Sequence, residues 1–266
     1  MFTVIAERIN MTRKSIREEV WARNESVIRN EAAIQTQAGA THIDINAGGD
    51  PSKEIDDMKW LTEIVSSEVD LPISFDSANP DAIEAGLEIC NRPGTIINSI
   101  TMEKERVDGI LPLAQKYDTS IVCLTMDDSG MPEDVKGRIK ITDDIVALFK
   151  ENGISLKRAY FDHLVRPAST NPGQSKHLLD AIKHTKMTYP ESHIALGLSN
   201  ISFGIPCRSN FNKAFLSMLV MAGCDGAILD PTEEDLMLTL YSARSVLGLD
   251  EYCMDYIMKM RDEGKA

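Results

Sequence analysis

Polar side chains stand at equivalent places along this chain, each at the end of a short run of apolar and β-branched residues. THIDIN ends at Asp44 and Asn46, and PISFD ends at Asp76. The whole set consists of Glu7, Asp44, Asn46, Asp76, Asn98, Asp162, Asn200 and Asp230. Buried parallel strands read as continuous apolar runs, and α/β proteins bind ligands at the carboxyl ends of such strands. We therefore predict one shared ligand site, although each residue alone also fits a helix cap or a turn former.

The chemistry of this set favours a flat ligand that carries several N–H groups. The set contains carboxylates and amides but no His, Lys or Arg. Carboxylates accept paired hydrogen bonds from planar N–H groups, and amides both donate and accept, a combination that suits a pterin. No strand ends in the lysine of a Schiff-base aldolase, and the five histidines form no HxH or HExxH zinc motif. Composition alone leaves a magnesium site built from Asp and Glu open.

Two further residues are candidates for the rim of the site. His163 directly follows Asp162 at a strand end and is the histidine that we expect to line the mouth. Arg208 lies in the polar turn after GLSNIS, in the region where α/β barrels often bind anions. It is placed to meet a carboxylate tail, with an exposed surface arginine as the alternative.

Alternating strand-like and helix-like segments must position these residues. Predicted strands cover 3–7, 41–46, 72–76, 95–98, 119–126, 158–162, 193–199 and 226–230. Predicted helices cover 14–38, 53–68, 80–90, 103–117, 142–152, 174–188, 209–222, 232–247 and about 251–262. Such alternation indicates right-handed βαβ units, and eight of them close a (β/α)8 barrel. We predict a single barrel domain over 1–266, because the alternative, a doubly wound sheet, usually has a glycine-rich turn that AERINMTRK lacks.

The composition of the chain excludes some classes of binding partner and indicates the cellular compartment. The net charge of −13 argues against nucleic acid and anionic membrane surfaces as partners. No apolar stretch approaches the ~18 residues of a membrane span, and the N-terminus lacks the pattern of a signal peptide. Five scattered cysteines without a CxxC motif fit a reducing compartment. We therefore expect a cytoplasmic protein.

Two Met-rich helices allow two interpretations. The helix over 209–222 carries Phe215, Met218, Leu219 and Met221 at helical spacing, and the last helix is similar from Tyr252 to Met260. Core packing is the default explanation, and a subunit interface is the alternative.

Several ordered blocks resemble the methyltetrahydrofolate:corrinoid methyltransferases of the pterin-binding barrel superfamily. The blocks are AERIN at 6–10, IDINAG at 43–48, FDSANPDAIEAGL at 75–87, INS at 97–99, LTMDDSGMP at 124–132, YFD at 160–162 and GLSNIS at 197–202. The resemblance covers nearly the whole chain. It implies a homodimeric barrel that binds tetrahydrofolate or 5-methyltetrahydrofolate at its mouth. Its partner would be a separate protein that carries a corrinoid (cobalamin), and no metal bound by the chain itself is expected.

The resemblance also implies a role for each matched residue. The pterin ring would be held by Asp76, Asn98 and Asp162, and Asn200 would hydrogen-bond near N5. We add the hypothesis that Asp76 or Asp162 completes a proton path through water. Gly197 and Ser199 would border the ring, and Glu7, Asp44 and Asn46 would line the mouth. The chain departs from the family pattern at His163, where proline is expected, and in ILDPT at 228–232.

The chemistry of methyl transfer explains why an amide side chain would be placed near N5. An amide anion is a very poor leaving group, so N5 must be protonated or strongly hydrogen-bonded as the methyl group departs. Two alternatives remain: a dihydropteroate synthase-like enzyme, although its long N-terminal loop is absent, and a non-catalytic folate-binding module. The sequence does not indicate the direction of methyl transfer or the upstream methyl donor.

Overall fold

Eight parallel strands alternate with helices in the computed structural model, which describes residues 2–262 and 264–265. The strands are β1 Thr3–Asn10, β2 His42–Asn46, β3 Ile73–Asp76, β4 Ile96–Ile100, β5 Ser120–Leu124, β6 Ala159–Asp162, β7 His193–Ile194 and β8 Gly226–Leu229. The helices are α1 Lys14–Trp21, α2 Glu25–Gln37, α3 Glu54–Glu68, α4 Pro80–Ile89, α5 Lys104–Tyr117, α6 Val135–Glu151, α7 Gln174–Thr188, α8 Arg208–Ala222, α9 Glu234–Val246 and α10 Met254–Asp262.

The sheet runs in the order β7-β6-β5-β4-β3-β2-β1-β8. Between its two ends, β7 and β8, a parallel bridge joins Gly197 to Ile228, and the Ile228 amide donates to the Leu196 carbonyl oxygen at 2.9 Å. The predicted (β/α)8 barrel is therefore confirmed. None of the helices within the described residues is long and apolar enough to cross a membrane.

Strand alternation explains why the polar side chains meet. Ile5, Ile96, Val122 and Ala195 form the small apolar cluster inside the barrel, while most other buried apolar residues pack in one large cluster. Side chains two residues apart share a face of a strand, so the residue two positions after Ile96 also points inward. That residue is Asn98, which pairs in register with Asp76, as Asp76 does with Asn46.

The predicted helix over 14–38 is wrong as a single element. It is divided into α1 and α2 at residues 22–24, where Arg23 has a φ of 54°. The Arg23 guanidinium lies 2.8 Å from the buried Asp57 carboxylate and 5.0 Å from the centroid of the Trp60 ring. These contacts with α3 favour the break over a continuous helix.

Three other predicted boundaries also differ. The strand predicted over 193–199 is only two residues long, because a 3₁₀ helix over Leu198–Ser202 follows it. The helix predicted over 142–152 begins seven residues earlier, at Val135, where the Asp134 side chain caps it by accepting from the Gly137 amide at 2.8 Å. The last predicted helix, 251–262, is a 3₁₀ turn over Glu251–Cys253 followed by α10.

Candidate functional site

Asp44 lies at the centre of a buried hydrogen-bond network inside the barrel. Its Oδ1 accepts from Ser74 Oγ at 2.6 Å and from Asn98 Nδ2 at 3.3 Å. Burial, and then the nearby Asp76 carboxylate, raise the pKa of Asp44 well above its usual value. The network thus fixes the amide of Asn98 from one side.

Asp76 is a second carboxylate beside this network. Its Oδ2 accepts from Asn46 Nδ2 at 2.8 Å. Burial raises the pKa of Asp76, while the Asn46 hydrogen bond and the Arg106 charge act in the opposite direction. The ends of β2, β3 and β4 therefore present carboxylates and amides side by side.

Arg106 on α5 binds the loops that follow β3 and β4. It donates to the carbonyl oxygen of Ser99 at 2.6 Å and to that of Ser77 at 3.3 Å, and it also donates to the Ala78 carbonyl oxygen. Its guanidinium thus orders the two loops beside Asp76 while adding a positive charge. Nothing in the surrounding helical pattern of the sequence signals this role.

Asp162 faces the mouth from the end of β6 and is 7% exposed. Its Oδ1 accepts from the Leu164 amide at 2.6 Å, and its Oδ2 accepts from the Gly197 amide at 3.4 Å. Burial raises the pKa of Asp162 to about 6. The second contact joins β6 to the segment that bears Ser199 and Asn200.

A polar cleft of about 640 Å³ opens beside this segment. Asn200 is exposed at the cleft, which Ser199 and Glu7 also line. Burial, followed by the Asp230 charge, raises the pKa of Glu7 to about 7. The full lining consists of Glu7, Asn10, Thr12, Arg13, Ser199, Asn200, Phe203, Arg208, Asn212, Asp230 and Glu233.

Arg208 holds the 3₁₀ helix in place from the start of α8. Its Nη2 donates to the Ser199 carbonyl oxygen at 2.8 Å, and its Nε donates to Ser202 Oγ at 3.0 Å. It is nevertheless exposed at the cleft. Arg208 therefore both stabilises the 3₁₀ helix and lies at the rim of the cleft.

Asp230 is both a turn former and part of the cleft wall. Its Oδ2 lies 3.0 Å from Arg8 Nη1, and its Oδ1 accepts from the amide of Thr232 at 3.0 Å and from its hydroxyl at 2.6 Å. Arg8 also pairs with Glu31 on α2 at 2.6 Å. These contacts link the end of β8 to β1.

The prediction that His163 lines the mouth is wrong. Asp162 points into the barrel, so the next side chain points outward, toward the helices. His163 is fully buried, with Nε2 3.0 Å from Thr185 Oγ1 on α7. Burial lowers the pKa of His163 to about 3, so the imidazole is neutral and belongs to the packing behind the site.

Arg138 on α6 is a residue that the sequence interpretation missed. It is fully buried and donates to the His163 carbonyl oxygen and to Gln174 Oε1, both at 2.9 Å, and to the Asp134 carbonyl oxygen at 3.3 Å. It therefore fixes the backbone directly after Asp162. Its sequence setting, KGRIK, looks like an exposed helix surface and gives no signal of burial.

Comparisons with known proteins support the predicted pterin-binding barrel. The family described as "Pterin binding enzyme" matches residues 6–230, which gives the class of protein. Over 264 residues the chain is 33% identical to the methylcorrinoid:tetrahydrofolate methyltransferase of Eubacterium limosum, covering 98% of this chain and 97% of that one. The chain therefore belongs to the pterin-binding enzymes and, within them, to the methyltetrahydrofolate:corrinoid methyltransferase family.

Other relatives match part of a longer protein or the fold alone. The chain is 28% identical over 239 residues to the methionine synthase of Mycobacterium leprae, covering 85% of this chain but 20% of that protein. A solved dihydropteroate synthase from Xanthomonas albilineans, in complex with 7,8-dihydropteroate, superposes with a TM-score of 0.67, 15% identity and 92% coverage of both chains. The Yersinia pestis enzyme with a pterine-sulfa conjugate gives 0.64, 16% identity, and 85% and 90% coverage.

Among the residues that the structure describes, no group of three or more His, Cys, Asp or Glu side chains is arranged to hold a metal ion.

Proposed function

We propose that this protein moves a methyl group between N5 of tetrahydrofolate and the cobalt of a corrinoid that a partner protein carries. The observation that carries the proposal is the match over nearly the full length of both chains to a methylcorrinoid:tetrahydrofolate methyltransferase. The chain would act as one barrel domain, and the same site would serve either direction of transfer.

The pterin would lie against the inner carboxylates. Asp162 is almost fully buried and Asp76 is half-buried, and both carry raised pKa values, so each lacks part of the hydration that would stabilise its charge. The paired N–H groups of a pterin would supply the missing donors. Asn98, held through its amide nitrogen by Asp44, would present its carbonyl oxygen to the ring.

Asn200 would serve the N5 position. It is exposed at the cleft, so a bulky corrinoid could approach N5 from that side while Gly197 and Ser199 border the ring. A neutral amide both donates and accepts, and it therefore suits N5 in the protonated and the unprotonated state. Glu7, Asp44 and Asn46 would line the mouth, and Arg208 would meet the carboxylate tail of the folate.

A homodimer is part of the proposal. Phe215 and Leu219 of α8 are buried, as core packing requires, but Met218 and Met221 are 53% and 70% exposed. More apolar side chains are exposed on α9 and α10 and on the segment between them: Val246, Leu247, Leu249, Tyr252, Met254 and Met258. Large exposed apolar patches are typical of protein–protein contacts, and a second copy of this chain would cover this one.

The cytoplasm is the compartment that the cysteines support. All five are unpaired, and Cys90, Cys123 and Cys224 are buried. Free thiols of this kind persist where glutathione and thioredoxin keep them reduced.

The test replaces Asn200 by Ala and measures methyl transfer from methylcob(III)alamin to tetrahydrofolate. Asn210→Ala provides the matched control, since it removes the same amide from an exposed position in the first turn of α8. We expect Asn200→Ala to lose at least about a hundredfold in rate, because it removes the group that serves N5, and the control to stay within about twofold of the wild type. A near-normal rate in a folded Asn200→Ala variant would remove this residue from the mechanism.

A further inference from the structure

Glu7 points into the barrel from an irregular part of β1. The register between β1 and β2 shifts between Ala6 and Ile9, which places a bulge at Glu7 and Arg8. Bulges often redirect a side chain next to an active site. Here Arg8 turns outward to its two carboxylate partners, while Glu7 lines the cleft two positions beyond the inward-facing Ile5.

Glu7 lies in the same cleft as the segment that bears Asn200. The cleft is lined by Glu7, by Asn200 and by Ser199, the residue before Asn200, and the Ser199 hydroxyl lowers the pKa of the Glu7 carboxyl group. A carboxyl group in this cleft lies beside the place where N5 is proposed to sit, on the side that is open to a corrinoid.

The charges around Glu7 favour its protonated form. Asp230 and Glu233 face it from the end of β8 and the start of α9, and Asp44 faces it from β2. Arg13, after β1, is the opposing positive charge. Arg8 and Arg208 lie nearby, but Arg8 is paired with Asp230 and Arg208 is bonded to Ser199 and Ser202. Burial is the larger cause, and together with these charges it raises the pKa of Glu7 to about 7.

We propose that Glu7 is the acid that protonates N5 as the methyl group leaves, and the base that removes this proton in the reverse reaction. The inference rests on the proposed function. In the forward step the CH₃–N5 bond breaks and its electron pair stays on N5, which takes the proton of the Glu7 carboxylic acid. Co(I) supplies the electron pair of the new Co–CH₃ bond and becomes methyl-Co(III), and Glu7 is left as a carboxylate.

The two directions then depend on pH in opposite ways. Transfer from methyltetrahydrofolate to Co(I) requires the acid form of Glu7, so its rate falls as the pH rises through about 7. Transfer from methyl-Co(III) to tetrahydrofolate requires the carboxylate, so its rate rises over the same range. If Glu7 only shaped the pocket, the pH dependence of the rate would not reverse with the direction of methyl transfer.

The test compares Glu7→Gln with Glu88→Gln, which makes the same change at an exposed position of α4 outside the cleft. Single-turnover rates are measured in both directions from pH 5.5 to 8.5 with free cobalamin, and tetrahydrofolate affinity is measured by calorimetry. We expect the affinity of Glu7→Gln for tetrahydrofolate to stay within about threefold of the wild type. Its methyl-transfer rates should be about a hundredfold lower, and neither rate should depend on pH over this range. Glu88→Gln should keep both rates within about threefold of the wild type and should keep their pH dependence.

Each remaining outcome decides the proposal. A folded Glu7→Gln variant whose rates and pH dependence match those of the wild type would overturn the role of Glu7 and leave the methyltransferase function intact. Absence of exchange by the wild type would overturn the function itself, and this inference with it. If Glu7→Gln does not fold, as judged by circular dichroism, the pH dependence of the wild-type rates provides the test. Rates that change with pH in the same sense in both directions would exclude Glu7 as the proton carrier.

Discussion

Replacing Asp162 by Asn should change the stability of the protein in a pH-dependent way. Burial raises the pKa of Asp162 from 3.8 to about 6. The folded state therefore holds a proton at this site that the unfolded chain has already lost between these two pH values. Its contribution to the free energy of unfolding is present below the unfolded value and is lost as the pH rises to about 6.

The magnitude follows from the contacts of Asp162. A shift of about two pKa units corresponds to about 3 kcal/mol at ~1.36 kcal/mol per unit, and the neutral amide of the Asp162→Asn variant would not carry this penalty at pH 8. The amide still has one oxygen for the Leu164 amide but cannot also accept the weaker, 3.4 Å bond from Gly197, a loss of about 1 kcal/mol. The variant should thus be about 2 kcal/mol more stable than the wild type at pH 8 and about equal to it at pH 4.5.

Urea unfolding at several pH values, followed by circular dichroism, measures this difference. The same variant should bind tetrahydrofolate poorly, because an amide cannot replace a carboxylate opposite two N–H groups. A stability difference that stays constant from pH 4.5 to pH 8 would refute the reasoning, since it would mean that the Asp162 carboxyl group titrates normally in the folded protein.

Three further substitutions test the packing that supports the site. Gly86→Ala would place a methyl carbon 2.4 Å from a ring carbon of Phe75, and thermal unfolding should show a loss of about 1–3 kcal/mol. Arg138→Met would leave the His163 carbonyl oxygen without its buried donor, so urea unfolding should show a loss of about 3 kcal/mol, and tetrahydrofolate affinity should fall. Asn79→Ala would remove the cap that accepts from the first turn of α4, with an expected cost of about 1 kcal/mol that a chemical denaturation curve would detect.

The barrel and most of its inward-facing polar residues could be predicted because both follow from strict periodicity. Asp76 and Asn98 end apolar runs, and a parallel register brings such ends to one mouth. The same alternation also explains the error at His163, because the residue after an inward-facing Asp162 must point outward. Extended by one residue, the rule itself predicts the buried position of His163.

Other features depend on contacts between distant segments, which local sequence does not encode. Arg106 and Arg138 occupy helix positions that read as solvent-exposed, and only the packed loops show that they bind backbone oxygens behind the site. The break between α1 and α2 depends on Asp57, more than thirty residues after Arg23. The raised pKa of Glu7 likewise results from burial and then from the charge of Asp230, which is close to Glu7 in the fold but far from it along the chain.

The most direct test of the central claim mixes the wild-type protein with methylcob(III)alamin and tetrahydrofolate and follows the cobalt absorbance, then runs the reaction in reverse with Co(I) and 5-methyltetrahydrofolate. We expect the methyl group to be exchanged in both directions. Binding of tetrahydrofolate without exchange in either direction would contradict it and would identify the chain as a folate-binding module instead.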